Sequence, residues 1–188
     1  MRFTELRLKG VFLIEFDRRA DHRGFFARSW CSNEFRVRGL QAQIAQINVC
    51  HTDKSGGIRG LHFQVAPHCE AKIVRCTNGG VFDVAVDLRP ASPTYMQWLG
   101  LELDSDNHNM LYIPEGCAHG CQALVEHTEI EYLTTAFYAP EAARGIRFDD
   151  PAFRIEWPLP LGSISEADRS WPDFEATIEQ YTGATDGN

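Results

Sequence analysis

The feature that most constrains the fold is a series of short segments rich in β-branched and aromatic residues, each bounded by a turn signal. Residues 81–88 show it best, because Val, Asp, Ala and Asp on one face alternate with Phe, Val, Val and Leu on the other. A period of two residues is typical of a β-strand. Further strands are predicted at 11–16, 44–49, 72–75, 95–103 and 128–137. Many short strands separated by Gly- and Pro-containing turns are typical of a β-sandwich or jelly roll.

Helix signals are few. Residues 32–38 form the best candidate, with Ser32 as the cap and Gly39 as the terminator, and residues 173–181 form a second, shorter candidate. A chain of 188 residues fits a single domain with a sizeable core, and no repeat or linker divides the sequence. We therefore predict that residues 1–188 form one all-β domain with a few short peripheral helices, and that residues 183–188 are a frayed tail.

The composition narrows the classes of partner and the compartment. Hydrophobic residues make up 44% of the chain and charged residues 23%, which is typical of a globular protein. A formal net charge of -8 argues against a nucleic-acid partner, although a small phosphorylated ligand needs only a few local arginines. No stretch approaches the length of apolar sequence that spans a membrane, and no secretion signal is evident. The six cysteines form no CxxC pair, so we expect free thiols and a cytoplasmic location.

The segment PEGCAH, which ends at His119, has the form PxGxxH found at the barrel mouth of jelly-roll cupins. Cupins that bind a metal also carry an earlier HxH pair, because three or four nitrogen or oxygen ligands must converge on the ion. In this sequence the corresponding pair is His62 and Gln64, so the second histidine is missing. We therefore predict no metal and no cofactor in the barrel, which leaves its histidines for another purpose.

Neighbouring residue types suggest that purpose. Arg59 and His62 lie in one segment, RGLHFQ, and Lys72 begins the next strand. Removal of a proton beside a ketone needs a base and fixed positive charge for the enolate oxygen. A phenol on the opposite face then returns a proton, and Tyr132 and Tyr138 are the candidates for it. The competing interpretation is that His62 is a hydrogen-bonded structural histidine.

Several segments, taken in order, resemble signatures of the dTDP-4-dehydrorhamnose 3,5-epimerase family. They are RGLHFQ, KIVRC with a later GGVFDVAVDLR, SPTY, YIPEGCAHG, YLTTAFYAPE and RGIRFDDPAFRIEWP. The resemblance runs from about residue 12 to about residue 174, which is most of the chain. It implies a cupin-like jelly-roll β-sandwich, an isomerase that acts on a nucleotide-diphosphate 4-keto-6-deoxy sugar, and a homodimer in which N-terminal strands extend the partner's sheet.

The resemblance also implies catalytic roles for matching positions. His62 resembles the base of the family, and Asp168 resembles the carboxylate that steadies its imidazole. Tyr132 resembles the proton donor on the opposite face of the sugar. Lys72 and Arg59 resemble the groups that hold the 4-keto oxygen as it gains negative charge.

Further positions resemble substrate contacts of the family. Besides Arg59, they are Arg23, Phe26, Gln46, Asn48, Asp83, His119 and Tyr138. Arg23, which precedes a Gly-Phe-Phe segment, resembles a diphosphate contact. Tyr138 resembles the aromatic residue that stacks on the nucleotide base, and Asp83 resembles an inward-facing aspartate beside the site.

Several departures from the family pattern leave the substrate open. Arg28 and Ala143 stand where the family usually carries Glu, and Ala167 stands where it carries Lys. The resemblance places these positions around the nucleotide end of the substrate. Leu133 replaces a common lysine, while Cys117 and Cys121 replace common aromatic residues beside the histidine of the PxGxxH motif. Epimerisation is therefore better supported than the identity of the nucleotide.

The sequence leaves three alternative functions open. The first is an epimerase that inverts only C3 or only C5 of a different sugar nucleotide. The second is a sugar-nucleotide 3,4-ketoisomerase, which usually carries a different pair of histidines and lacks the segment around Tyr132. The third is a non-catalytic cupin that binds a sugar nucleotide, against which stands the combination of His62, Lys72, Tyr132 and Asp168.

Overall fold

The computed structural model describes residues 1–175, which form two antiparallel β-sheets packed face to face. The strands are β1 (Arg2–Glu5), β2 (Phe12–Glu15), β3 (Arg19–Asp21), β4 (Gly24–Phe26), β5 (Gln46–Thr52), β6 (Ile58–Gln64), β7 (Lys72–Asn78), β8 (Gly80–Asp87), β9 (Trp98–Asp104), β10 (Met110–Ile113), β11 (Cys117–Ala123), β12 (Thr128–Thr134) and β13 (Ala143–Gly145). The helices are α1 (Ser32–Arg36) and α2 (Glu166–Arg169). One sheet has the order β1-β2-β10-β7-β12-β5, the other β13-β6-β11-β8-β9, and β3 and β4 form a separate hairpin. The predicted all-β sandwich with short peripheral helices is confirmed.

Strand β8 shows how the sequence pattern maps onto the layers. Val81 and Ala85, on one face, pack in the apolar core between the two sheets. Val84 and Val86, on the other face, pack in a second apolar cluster on the outside of the five-stranded sheet. The alternation of residue types therefore separates two buried faces, because the C-terminal part of the chain covers the outer one.

Apolar segments outside the sheets cover the outer face of each of the two sheets. Ile146 and Phe153 pack on the outer face of the five-stranded sheet, and the indole of Trp157 donates to the carbonyl of Phe148 at 2.8 Å. On the six-stranded sheet, Phe35 of α1 is fully buried and packs against Tyr112. Burial of one such aromatic side chain contributes about 1.5–3 kcal/mol.

Two details of the helix predictions need correction. Helix α1 lies at the predicted place, but its N-cap residue is Cys31 and no side chain caps it, so Ser32 is the first helical residue and not the cap. Gly39 does follow the helix with a φ of 70°, a left-handed conformation that glycine adopts without strain. The second predicted helix, 173–181, lies mostly outside the described residues, and its described part, 173–175, is not helical. The predicted tail, 183–188, also lies outside them.

A close approach of two strands sets the geometry beneath the site. A Cβ on Gly60 of β6 would lie 2.6 Å from the carbonyl oxygen of His119 and from the Cα of Gly120 on β11. Gly60 also has a φ of 105°, which side chains rarely adopt. The strands can therefore pair tightly here, and His62 and His119 become direct cross-strand partners on one face. Within residues 1–175, neither helix is long and apolar enough to cross a membrane.

Candidate active site

A cavity of about 720 Å³ opens between the sheets, at the end where β6, β7, β11 and β12 meet the segment around α2. The four residues predicted to be catalytic, His62, Lys72, Tyr132 and Asp168, all line it. Arg59, His119 and Tyr138, predicted to contact substrate, line it as well. The fold thus brings together residues that are far apart in the sequence.

His62 and Asp168 form a hydrogen-bonded pair on the wall formed by the five-stranded sheet. Nε2 of His62 lies 2.6 Å from Oδ1 of Asp168, and the backbone N–H of Gly60 donates to the other carboxylate oxygen at 3.2 Å. Ser165 caps α2 by accepting a hydrogen bond from the backbone N–H of Asp168 at 3.0 Å. The Asp168 side chain is almost fully buried, whereas 48% of the His62 side chain is exposed to the cavity. Asp168 therefore holds the imidazole from behind and leaves its other edge open.

The surroundings of Asp168 favour its charged form. Burial, the largest single influence, raises the pKa of Asp168. The hydrogen bond and charge of His62, with hydrogen bonds from Gly60 and Ser165, outweigh it and lower the pKa below the ordinary value of 3.8. The carboxylate therefore stays ionised opposite the imidazole.

This pKa shift predicts a pH-dependent contribution to stability. Since the folded pKa lies below the unfolded one, ionised Asp168 contributes stability that is fully present above the unfolded value and is lost as the pH falls through the folded value. We expect the difference in free energy of unfolding between the wild type and Asp168→Asn to shrink as the pH falls below 3.8. Urea unfolding of both proteins across acidic pH checks this, and a difference that does not change with pH would contradict it.

A second histidine–carboxylate pair lies beside the first. Nε2 of His119 is 2.8 Å from Oδ1 of Asp83 on β8, and both side chains are buried. Asp83 is fully buried and lies behind His119, outside the cavity lining. The other oxygen of Asp83, Oδ2, has no hydrogen-bond partner within the described part of the chain. Asp83 thus orients His119 without facing the cavity itself.

The opposite wall, formed by the six-stranded sheet, carries the cation and the phenol. Lys72 begins β7, and its Nζ lies 3.1 Å from the carbonyl oxygen of His62 and 3.2 Å from Oε1 of Glu70. Tyr132 lies on the neighbouring strand β12 and is partly buried. Burial, more than the nearby ionisable groups, raises the pKa of Tyr132. The phenol therefore carries its proton in the resting site.

Sequence reasoning missed two polar residues that support this wall. Glu70, which was not predicted as a site residue, forms the buried ion pair with Lys72. The amide nitrogen of buried Gln64 donates to Glu70 at 3.2 Å, and its oxygen accepts from the backbone N–H of Ala139 at 2.6 Å. Gln64 stands two residues after His62 on β6, so the period of a strand was a signal that both share a face. Glu70 likewise stands two residues before Lys72, but it lies outside β7, so the period of that strand did not point to it.

Arg59 is held at the edge of the cavity by two hydrogen bonds. Its Nε donates to Oγ1 of Thr52 at 3.1 Å, and its Nη2 donates to the carbonyl oxygen of His51 at 2.6 Å. A guanidinium has five N–H donors in a fixed plane. These two bonds therefore fix the orientation of the group toward the lining.

The remaining predicted substrate contacts, Gln46, Asn48, Arg23 and Phe26, are not among the residues that line the cavity. Asn48 is the direct cross-strand partner of Tyr132, and Oε1 of Gln46 accepts from the backbone N–H of Tyr138 at 2.7 Å. Arg23 and Phe26 lie on the exposed β3–β4 hairpin and do not line the cavity of their own chain. The guanidinium of Arg23 pairs with Asp21 of the same hairpin at 2.7 Å.

The departures from the family pattern also have defined places. Ala143 and Ala167 both line the cavity, whereas Arg28 is exposed and lies 3.6 Å from Glu34 of α1. Cys121 lines the cavity, and Cys117 is packed in the core between the sheets. Burial raises the pKa of the Cys117 thiol to about 12, so this thiol is not a nucleophile at neutral pH.

Comparison with known proteins decides the family. The model of the family described as dTDP-4-dehydrorhamnose 3,5-epimerase matches residues 5–176. This chain belongs to that family. It is accordingly an isomerase, and its β-sandwich is of the cupin-like type found in the family's solved structures.

Individual relatives agree with the family assignment. The chain is 42% identical over 179 residues to a dTDP-4-dehydrorhamnose 3,5-epimerase of Pseudomonas aeruginosa, covering 93% of this chain and 96% of the relative. It superimposes with a TM-score of 0.88 and 35% identity on the Bacillus anthracis enzyme with TDP and PPi bound, covering 92% of this chain and 99% of that one. A 3′-monoepimerase from Streptomyces bikiniensis in complex with dTDP-quinovose gives a TM-score of 0.82 at 28% identity, covering 89% and 85% of the two chains.

Proposed function

We propose that this epimerase inverts C3 and C5 of a nucleotide-diphosphate 4-keto-6-deoxy sugar by removing and returning a proton beside the C4 ketone. The observation that carries the proposal is the division of labour between the two sheets. The pair of His62 and Asp168 stands on one wall of the cavity, and Lys72 and Tyr132 stand on the other. A base and an acid on opposite walls can reach opposite faces of one sugar ring, which is what inversion of a carbon centre requires.

His62 acts as the base in this proposal. Because the ionised carboxylate of Asp168 can only accept a hydrogen bond, Nε2 of His62 carries the hydrogen between them, and Nδ1 keeps its lone pair. In each half-reaction a C–H bond next to the ketone breaks, its proton passes to Nδ1, and its electron pair moves into the enolate. Asp168 stabilises the imidazolium that forms, because its charge lies 2.6 Å away.

Positive charge stabilises the enolate oxygen. Lys72 is nearly buried, and the carbonyl of His62 and the carboxylate of Glu70 fix the position of its ammonium group. A charge fixed in advance in a partly water-excluded site stabilises a developing oxyanion without reorganisation at the moment of reaction. Arg59, held by Thr52 and His51, adds a second cation on the cavity lining.

Tyr132 returns the proton from the other face. Its O–H bond breaks as the new C–H bond forms, and the electron pair of the enolate becomes that C–H bond. The raised pKa of Tyr132 keeps the phenol protonated until the enolate is present. Solvent then takes the proton from His62 and restores the one on Tyr132, so the cycle leaves no net change in protonation.

The proposal for Tyr132 predicts a specific partial reaction. In Tyr132→Phe, His62 still removes the proton, but the enolate lacks its acid on the far face and is reprotonated from the near face. We expect net inversion to fall by about 10²–10⁴-fold, while exchange of the substrate hydrogen with solvent deuterium falls much less. Nuclear magnetic resonance of the sugar in D₂O measures both rates on one sample. Equal losses of exchange and inversion would remove Tyr132 from the role of acid.

Inversion of both centres is favoured over inversion of one by the pattern of similarity. The 3,5-epimerase of Bacillus anthracis is 35% identical to this chain in the structural superposition, whereas the 3′-monoepimerase is 28% identical. The nucleotide is the less constrained part of the proposal, because Ala143 and Ala167 contribute only methyl groups to the cavity lining. The solved relatives in complex with TDP and dTDP-quinovose support a thymidine nucleotide as the first candidate.

A panel of substrates tests the nucleotide. The 4-keto-6-deoxyglucose derivatives of dTDP, UDP and GDP are each incubated with the protein, and the products are separated by chromatography. We expect conversion of the dTDP derivative. Conversion of the UDP or GDP derivative as well would show that Ala143 and Ala167 leave the nucleotide end of the cavity permissive. Conversion of none of the three would contradict the proposed substrate class.

We further propose that the protein is a homodimer in the cytoplasm and that residues 1–188 act as one catalytic domain. The exposed hairpin supports the dimer, because Arg23 and Phe26 are matched to substrate contacts and yet lie outside their own cavity. In a dimer, the hairpin of one chain would bring Arg23 and Phe26 to the cavity of the other chain. The outer face of the edge strand β5 exposes Ile47 and Val49, which supports an extension of the sheet at this edge. The six free cysteines support a reducing compartment.

A further inference from the structure

Three metal-ligating side chains lie together outside the cavity, where β5 ends at the edge of its sheet. They are His51, the penultimate residue of β5, Asp53 just after it, and His127 in the turn before β12. Cys50 and Thr52, the neighbours of His51, line the cavity. His51 therefore points to the opposite face of the strand, away from the substrate. The three residues are called the edge cluster below.

The ligand atoms of the edge cluster lie close together, and one pair is at the spacing found around a metal ion. One nitrogen of each histidine and one carboxylate oxygen all lie within 4.8 Å of one another. Nε2 of His51 is 3.3 Å from Oδ1 of Asp53. Two ligand atoms that are each about 2.0–2.1 Å from a zinc ion in tetrahedral geometry lie roughly 3.3 Å apart. The first two ligands are therefore already at the spacing that a bound ion would impose.

The backbone holds the third ligand beside the other two. The N–H of His127 donates to the carbonyl oxygen of Asp53 at 3.1 Å, and the carbonyl oxygen of His127 accepts from the side chain of Asn78 at 2.6 Å. The rings of His51 and His127 consequently lie with their centroids 6.0 Å apart and their planes 29° from parallel. The carbonyl of His51 is in turn fixed by Arg59 at 2.6 Å. The backbone positions that carry the ligands are thus fixed before an ion binds, which lowers the entropic cost of binding.

Two basic residues that lie near the edge cluster are both engaged in other contacts. Arg59, which lines the cavity, donates to Oγ1 of Thr52 and to the carbonyl oxygen of His51. Lys54, the nearest basic residue along the chain, forms an ion pair with Glu126 at 3.1 Å. All three members of the edge cluster are exposed in the single chain. They lie at the C-terminal end of β5, past Ile47 and Val49, so an ion can reach them from solvent and complete its coordination with water.

We propose that the edge cluster binds one divalent transition-metal ion of the zinc class through two imidazole nitrogens and one carboxylate oxygen. Two imidazoles with one carboxylate suit Zn²⁺, Ni²⁺ and Cu²⁺, whereas Mg²⁺ and Ca²⁺ prefer all-oxygen sites. The ion ties the end of β5 to the turn before β12 and stabilises the edge strand that carries Asn48. It has no part in the proposed reaction, because no member of the edge cluster lines the cavity.

Titration calorimetry with Zn²⁺ on the full chain, prepared without an affinity tag, tests the proposal. We expect one ion per chain at the highest affinity, with Mg²⁺ giving no heat. His51→Asn, Asp53→Asn and His127→Asn are each expected to weaken this binding by at least about 10–100-fold, since even residues that only support a ligand are worth that much. His22→Asn, which removes another exposed histidine outside the edge cluster, is the matched control and should bind like the wild type.

Two further measurements report on the ligands even if one variant is unstable. Electron paramagnetic resonance of the Cu²⁺-loaded protein should show coupling to two imidazole nitrogens, and to one in His127→Asn. Zn²⁺ should also raise the thermal midpoint of the wild type and not that of His51→Asn. The proposal is overturned if the wild type does not bind Zn²⁺, or if the variants of the edge cluster and His22→Asn bind it equally.

Discussion

Replacing His62 by asparagine is expected to lower kcat by about 10²–10⁴-fold, the usual contribution of a general base. Asparagine keeps an N–H that can donate to Asp168 but has no lone pair of comparable basicity to receive a proton. The His62 side chain is half exposed to the cavity, so its replacement leaves the apolar core untouched. We therefore expect a near wild-type thermal midpoint and a KM that changes less than kcat. Steady-state kinetics with the keto sugar nucleotide measures the effect.

The control for this variant is His68→Asn. His68 is a partly exposed histidine outside the cavity lining, 3.7 Å from Glu141. Loss of one histidine at this position should leave turnover unchanged. If His62→Asn kept near wild-type activity, His62 would be a structural histidine and the assignment of the base would fail.

Replacing Lys72 by glutamine is expected to lower kcat by about 10²–10³-fold, which corresponds to roughly 3–4 kcal/mol of transition-state stabilisation. Glutamine can still donate a hydrogen bond toward the carbonyl of His62, yet it carries no charge for the enolate oxygen. Because the ammonium is needed most when the enolate forms, kcat should fall more than the affinity for the substrate. Steady-state kinetics of Lys72→Gln measures kcat. Binding of the substrate to the double variant His62→Asn/Lys72→Gln, which leaves it unreacted, measures the affinity.

Glu70 provides the control for Lys72. Removal of the lysine charge leaves the carboxylate of Glu70 buried without its ion pair, which by itself destabilises the fold. Glu70→Gln/Lys72→Gln removes both charges and should recover most of the stability but none of the activity. A double variant that regained wild-type turnover would show that Lys72 acts only by neutralising Glu70.

The sequence pattern located β2, β5, β7, β8, β9 and β12, because each of these strands carries its own local signal. It gave no bounds for β1, β6, β10, β11 or β13. The alternation at 81–88 predicts β8 to within one residue of its observed bounds, Gly80–Asp87. The pattern could not show that both faces are buried, since the covering residue Phe153 comes from a distant part of the chain. The β3–β4 hairpin was not predicted as strands, because its six residues are exposed and give no apolar period.

The residues of the candidate site were likewise predictable only where the signal is local. His62 and Lys72 stand out locally by residue type and position, and the resemblance to the family supplied Asp168. Residues 62 and 168 are separated by 106 positions, and no period or spacing in a single sequence reports such a contact. Helix α2, which carries Asp168, is only four residues long, too short for an apolar stripe to reveal it. Its cap Ser165, three residues before Asp168, was the one readable signal.

The measurement that tests the central claim most directly is the incorporation of deuterium at C3 and C5 of the sugar in D₂O. Removal of a proton beside the ketone by His62 predicts deuterium at both carbons with the wild type and at neither, beyond the uncatalysed rate, with His62→Asn. Deuterium at one carbon alone would retain the base but restrict the enzyme to a single centre. No incorporation by the wild type at either carbon, or full incorporation by His62→Asn, would contradict the account.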